Sequence, residues 1–396
     1  MVLGLLLARA GVEVSVLEKH GDFLRDFRGD TVHPSTQQLL DELGLGGRFA
    51  KLPHSRLYEI AWPADAGRTV VIADFRRLKV RHPYVAMVPQ WDLLNLLAEA
   101  GKEEPSFTLR MCTEVTGLIR ESGRVQGARY RTQDGTSGEI RAALTVACDG
   151  RGSIARAQAG LRPREFPVPF DVWWFRLPRM PGDNPSALTP LAVSGRAGLM
   201  IPREGHLQIA YIARKGGDPQ LRARGIERFR QDIAELIPWL ADRVGALESM
   251  DDVKHLDVRV NRLSRWHADG LLCIGDAAHA MSPVGGVGIN LAVQDAVAAA
   301  TLLAGPLRRG AVTRENLAAV RARRLLPTIL VQDLQRLMHR GLIAPNLDGR
   351  RVGPPKPVLA LLQRVPQISF GPAYLIGVGL RPEHAPPFAR RPAQDS

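Results

Sequence analysis

The sequence predicts an α/β fold in which a parallel-sheet unit is split in two by an antiparallel sheet and is followed by helices. Three observations carry that expectation. The chain opens with a helix-like MVLGLLLARAG and a strand-like VEVSVLEK that ends on an acid, Glu18. Two apolar runs, LTVACDG and LLCIGDAAHA, each enter a glycine turn through an aspartate; such runs suit strands of a parallel sheet buried on both faces. Between them stand FDVWWFRLPR, LAVSGRAGLMIPR and HLQIAYIAR, which have the pattern of an antiparallel sheet.

Taken in order, residues 1–10 form a helix and Val12 to Leu17 a strand. STQQLLDELGL places Leu39, Leu40 and Leu43 on one face and ends at Gly44, so a helix is expected over 35–43. Residues 55–89 break into short strand-like runs. QWDLLNLLAEAG then reads as a helix from Gln90, closed by Gly101. Strands are expected in FTLRMC, EVTGLIR, GRVQGARYRT and EIRAALTVACDG. After the inserted sheet, VGINLAVQDAVAAATLLAG is strongly helical, and further helices fill 311–341. The expected divisions are 1–165, 166–261, 262–310 and 311–396.

Composition narrows the function classes. A chain of 396 residues, 45% hydrophobic and 23% charged, can bury a sizeable core. The net charge of +13 comes from arginine, since only seven of the 53 basic residues are lysine. Without a nucleic-acid motif or aromatic–basic interleaving, that charge is read as Arg-rich helices rather than as a polyanion site. No unbroken apolar run approaches the roughly 18 residues of a membrane helix, and Arg9 interrupts the N-terminal run where a signal peptide would continue. No integral membrane segment is therefore expected. Cys112, Cys148 and Cys273 stand far apart and form neither a metal set nor a disulfide framework. Each is expected to be a buried free thiol in a reducing cytoplasm.

The most constrained stretch is GDAAHAMSPVGGVGINLAVQDA, residues 275–296. It puts the Asp276 carboxylate at the end of a buried strand, where it can accept hydrogen bonds from sugar-like hydroxyls. Pro283, Gly285, Gly286 and Gly288 then let backbone approach a flat ligand, and a helix N-terminus near Ile289 offers unpaired N–H groups to an electron-rich edge. CDGRGSIAR, residues 148–156, is another acid-after-strand turn about 120 residues earlier. His279 is read as part of its turn rather than as a base.

The GDAAHAMSPVGGVGIN segment resembles the ribityl-binding motif of the FAD-dependent aromatic hydroxylase family, the fold of p-hydroxybenzoate hydroxylase, which reads GDAAHxxxPxxGxGxN. CDGRGSIAR resembles the same family's DG motif. The resemblance covers essentially the whole chain. It implies a discontinuous Rossmann-like FAD-binding domain, an inserted antiparallel-sheet substrate domain and C-terminal helices. By resemblance Asp276 holds the ribityl chain, Pro283 lies beside the isoalloxazine, and Gly286, Gly288 and Asn290 face its pyrimidine edge. Asp149, with Ser153 and Arg156, belongs to the DG motif that arranges flavin and nicotinamide. Arg28, in RDFRGDTVHPSTQQLL, matches an arginine that approaches the pyrophosphate, and Gln90 matches a flavin-contacting position. Glu18 stands where an acid binds the adenosine ribose, about 20 residues after a G-x-G-x-x-G. That count falls before Met1, and no such motif follows a strand within the chain. The expectation is that a strand and phosphate loop are encoded in frame directly upstream.

The activity implied is that of a cytoplasmic FAD-dependent monooxygenase. NAD(P)H, with NADPH favoured, reduces the flavin, O2 adds at C4a, and the resulting hydroperoxide hydroxylates an aromatic or related small organic substrate. The partners implied are that substrate and O2, with no nucleic acid and no metal; a homo-oligomer stays open, and no catalytic side chain is named. FDVWWFRLPR faintly resembles the WxWxIP signature of flavin-dependent halogenases, with Phe175 where the second Trp should be. A halogenase or reductase of the same superfamily, or a truncated non-catalytic flavoprotein remnant, are the alternatives.

Overall fold

The computed structural model describes all residues except 25–30, 64–68, 184–187, 194, 204, 351–352 and 393–396. Helix α1 (Val2–Arg9) buries Leu5 and Leu6 completely and leads into strand β1 (Val14–Leu17). Gly4 lets the helix sit directly on the strands, because a Cβ there would lie 2.8 Å from Val16 Cγ2 and 2.9 Å from Phe107 Cε2. The short β2 (Thr31–Val32) precedes α2 (Pro34–Glu42), whose Pro34 opens the helix at its first position, where the missing N–H costs nothing. β3 (Val85–Met87) pairs antiparallel with β2, and α3 (Gln90–Lys102) follows it. β4 (Phe107–Arg110) then returns parallel to β1, with Val14 opposite Phe107.

A three-stranded antiparallel sheet over 113–141 leads to β5 (Thr145–Ala147) and the short α4 (Ile154–Gln158). Next comes a five-stranded sheet containing β6 (Phe170–Pro178), β7 (Arg196–Pro202) and β8 (His206–Arg214). Its strands are antiparallel, Trp174 pairing with Ala210 and Ala210 with Leu199. Alternation along β6 sends Trp173 and Phe175 into a core with Phe229 of α5 (Gly225–Leu236). The opposite face carries Val172 and Trp174. β9 (Leu271–Cys273) follows the inserted sheet and pairs parallel with β5, Thr145 opposite Leu271. Strands separated by the whole inserted sheet thus lie side by side, which is the split parallel arrangement the apolar runs predicted.

Helix α6 (Gly288–Arg308) is the core helix, packed between α1 and α7 (Arg314–Met338). Among the described residues it alone is long and apolar enough to cross a membrane, yet 67% of that window is buried in the fold. Counting unbroken apolar letters missed it because Asn290, Gln294 and Asp295 interrupt the run; all three are buried by polar partners.

α7 buries Leu317, Val320 and Val331 together with a run of polar side chains. Its buried face carries Arg324, Thr328, Gln332 and Gln335, continued by His339, all at most 2% exposed, whereas Leu326, Leu330, Leu334 and Leu337 are in solvent. A π-helical turn, His339–Ile343, ends it, and α8 (Phe370–Gly377) lies further along the chain.

The cysteines depart from expectation. Only Cys273 is buried, and burial pushes its thiol up to about 12. Cys148 is exposed just beyond the end of β5, and Cys112 stands at a turn with φ of 53°. Apolar neighbours in sequence do not bury a residue that has already left its strand.

Candidate active site

Three strands that pair in parallel, β1 in one sheet and β5 and β9 in another, run into acids. β1 runs into Glu18, whose N–H is held by the Arg110 carbonyl at 2.9 Å and whose Oε1 accepts the His20 N–H at 3.0 Å. β5 runs through Cys148 to Asp149, and its neighbour β9 through Ile274 and Gly275 to Asp276. In a sheet of this kind the crevice outside the carboxyl ends of the strands is where ligands bind. The amino group of Met1, heading α1, shares this region: burial lowers its pKa, and the nearby Cys148 and Glu18 act against that shift.

The two aspartate turns are tied to each other. Asp149 Oδ2 accepts the Ala155 N–H at 3.3 Å, and Ser153 caps α4 by accepting the Arg156 N–H at 3.0 Å. The buried Arg156 guanidinium then donates to the Ala277 carbonyl at 3.1 Å and the Arg151 carbonyl at 2.5 Å. Arg156 is therefore a brace between the turns rather than a group open to a ligand. Asp276 itself is exposed while Gly275 and Ala277 are buried.

The turn after Pro283 needs its glycines. Gly285 and Gly286 have φ of 83° and 65°, in the left-handed region that other residues avoid. The Gly286 N–H donates to the Pro283 carbonyl at 3.0 Å. The Gly286 carbonyl accepts from Thr31 Oγ1 at 3.1 Å and His33 Nε2 at 3.0 Å. Since a carbonyl can only accept, the His33 proton sits on Nε2. Burial pushes the His33 pKa down to about 4, so the ring is neutral near pH 7. Asn290 is fixed through its Oδ1, which accepts from Ser35 Oγ at 2.9 Å and Thr36 Oγ1 at 2.8 Å. α6 begins at Gly288 with no side-chain cap, so its first N–H groups have no partner within the helix.

The predicted site residues fall as follows. Glu18, Asp149 and Asp276 stand at the ends of parallel strands. Pro283, Gly286, Gly288 and Asn290 share one turn and helix start. Gln90 opens α3 three residues beyond Met87, the pairing partner of Thr31, and so lies on the β2 side of that turn. Arg28 lies outside the described residues. His279 is buried, with Nε2 2.6 Å from Asp295 Oδ2, and so belongs to the packing of its turn. Sequence reasoning missed Thr31, His33, Ser35 and Thr36; the run TVHPST held the signal as clustered hydroxyls at a helix start. The sheet approaches the same turn, since Trp174, Leu199, Ile212 and Val284 pack around Val172 and Ala210 in one apolar cluster.

These residues fit FAD. An exposed carboxylate, uncapped helix N–H groups and a side-chain-free glycine turn are the acceptor, donors and space that a ribityl chain and a flat ring require.

A family model described as an FAD binding domain matches residues 1–333. The chain is 33% identical over 390 residues to 6-methylpretetramide 4-monooxygenase of Streptomyces rimosus, covering 94% of this chain and 87% of that protein. It is 29% identical over 355 residues to kynurenine 3-monooxygenase of Salinispora arenicola, covering 83% and 75%. Among solved structures, the anhydrotetracycline hydroxylase OxyS from Streptomyces rimosus superimposes with a TM-score of 0.74 at 23% identity, covering 95% of this chain and 73% of that one. The flavin-dependent brominase Bmp2 gives 0.73 at 16% identity, covering 96% and 91%. At such identities these two likenesses speak for the fold alone.

Proposed function

This chain belongs to the FAD binding domain family and is an FAD-dependent monooxygenase, and we propose that its substrate is an extended, multi-ring aromatic compound. The observation carrying the substrate class is the 33% identity, along 94% of the chain, to an enzyme named for 6-methylpretetramide. The apolar sheet face with Trp174, Leu199 and Ile212, packed beside Val284 of the glycine turn, supports it. Such a face can hold a wide ring system by burial and stacking.

We assign residues 1–165 and 262–310 to FAD binding, 166–261 to the substrate and 311–396 to a helical cover. Asp276 would accept hydrogen bonds from the ribityl hydroxyls and Glu18 from the adenosine ribose. Pro283 would lie against the isoalloxazine, with Gly286, Gly288 and Asn290 at its pyrimidine edge. There the uncapped N–H groups of α6 would stabilise negative charge on the reduced ring. Asp149 and Gln90 would flank the ring, and Arg28 would approach the pyrophosphate. Bound FAD, reduced by NAD(P)H, supplies the oxygen-activating chemistry. The chain's own part is to orient the ring system, exclude water from the sheet face and hold the turn rigid.

The test is NAD(P)H oxidation by FAD-loaded protein with single-ring phenols and with multi-ring phenols. Multi-ring compounds should stimulate turnover and give products heavier by one oxygen. Stimulation by single-ring phenols only would sink the substrate class, and halide-containing products would favour halogenation.

A further inference from the structure

We propose that Gln335, supported by His339, is a positioning residue that sets the shape of the Ser282–Gly286 turn. Gln335 is 2% exposed and lies on the inner face of α7. Its Oε1 accepts the Ser282 N–H at 3.2 Å, and its Nε2 donates to the carbonyls of Ser282 and Val284, each at 2.9 Å. One side-chain amide thus satisfies three backbone groups on either side of Pro283, which has no N–H of its own. His339 Nε2 lies 2.9 Å from Ser282 Oγ, and that oxygen accepts the Val284 N–H at 3.3 Å. The His339 ring sits edge-on to Phe170, centroids 5.0 Å apart, at the start of the π-helical turn.

The turn is therefore clamped from two sides. Thr31 and His33 hold the Gly286 carbonyl from the β2 side, and Gln335 and His339 hold residues 282–284 from α7. Two consecutive glycines at positive φ form a segment with much conformational freedom to lose, so its shape must be imposed by partners. With Gln335 removed, the buried Ser282 carbonyl and N–H and the half-buried Val284 carbonyl lose their partners, and the N–H groups that follow lose a fixed direction. Gln332, three residues earlier on the same face, bonds the Asn261 and Ala280 carbonyls and does not reach the turn. Among the described residues Thr328 bonds only within its own helix, at the Arg324 carbonyl.

The functional side of the inference rests on the turn being flavin-facing. The test therefore begins without FAD, and failure of the clamp is distinguishable from failure of that reading. Hydrogen exchange of the cofactor-free protein is compared for wild type, Gln335→Leu and Thr328→Val. The amides of 282 and 284–286 should exchange about tenfold faster or more in Gln335→Leu. They should keep the wild-type rate in Thr328→Val, and α6 beyond its first turn should be unchanged in both. FAD-loaded Gln335→Leu should show a shifted flavin absorption band. Wild-type exchange at 282 and 284–286, or a rise spread evenly over α6 and α7, would overturn the clamp; faster exchange there with an unshifted flavin band would instead overturn the reading of the turn as flavin-facing. If Gln335→Leu does not fold, His339→Phe keeps a ring against Phe170, removes the Ser282 contact and is judged by the same readings.

Discussion

At the end of β9 the Asp276 carboxylate faces solvent between two buried neighbours, so replacing it alters a ligand site more than it alters the core. Asp276→Asn keeps the shape and removes the charge. Hydrogen bonds to a charged group are worth about 1.5–3 kcal/mol, so FAD affinity should fall about tenfold or more. A fluorescence titration giving an unchanged Kd would take Asp276 out of the ribityl role. Two buried histidines make a different prediction. Burial pushes both His33 and His339 down from 6.5 to about 4. Above pH 6.5 both rings are neutral whether the chain is folded or unfolded, and they add no pH dependence. As pH falls toward 4 the unfolded chain takes up protons that the folded rings refuse, and stability is lost, by about 3 kcal/mol for each ring at most. Chemical denaturation from pH 7 to pH 4 should show a shallower loss for His339→Phe than for wild type; parallel curves would contradict this. Acids such as Asp257, held down to about 2 despite burial by Lys215 and Arg259, add their own loss at lower pH.

Among the elements, α1 shows how packing overrides propensity. Alanine is the better helix former, yet Gly4→Ala would drive a Cβ into Val16 and Phe107. Overpacking of this kind costs about 1–3 kcal/mol, so the variant should be less stable by thermal denaturation. A gain in Tm would show that the helix can retreat from the strands. How far the elements could be read in advance varied with how local their causes are. α2 and α3 were legible because leucine spacing and, for α2, the stop at Gly44 act within a few residues; α3 instead runs through Gly101, packed on Phe107, to Lys102. α7 was legible as a helix but not in its orientation. Leu326, Leu330, Leu334 and Leu337 mark an apolar stripe that the fold turns outward, while Asp295, the Ser282 turn and the Asn261 carbonyl take polar partners from the inner face.

For the whole molecule, FAD should span the crevice from Glu18 to the glycine turn and stabilise the native state by mass action. At a free concentration 100 times its Kd the gain is about 2.7 kcal/mol. FMN, which lacks the adenosine end, should raise Tm less at the same concentration. Equal rises would mean that the Glu18 end takes no part in binding.

The sequence by itself determined the apolar strands, the two aspartate turns, the glycine positions and the helix that follows them. Each of these is dictated by residues within about one turn of one another, and the family motif lies in that local order. Only the tertiary structure decided that Thr31 and His33 grip the glycine turn, and Ser35 and Thr36 the start of α6, some 255 positions away. It also decided that Arg156 joins the two aspartate turns, that Cys148 is exposed, and that α7 keeps its polar face inside. A buried hydrogen bond needs only a donor and an acceptor at about 3 Å, and their separation along the chain leaves no periodic trace to read.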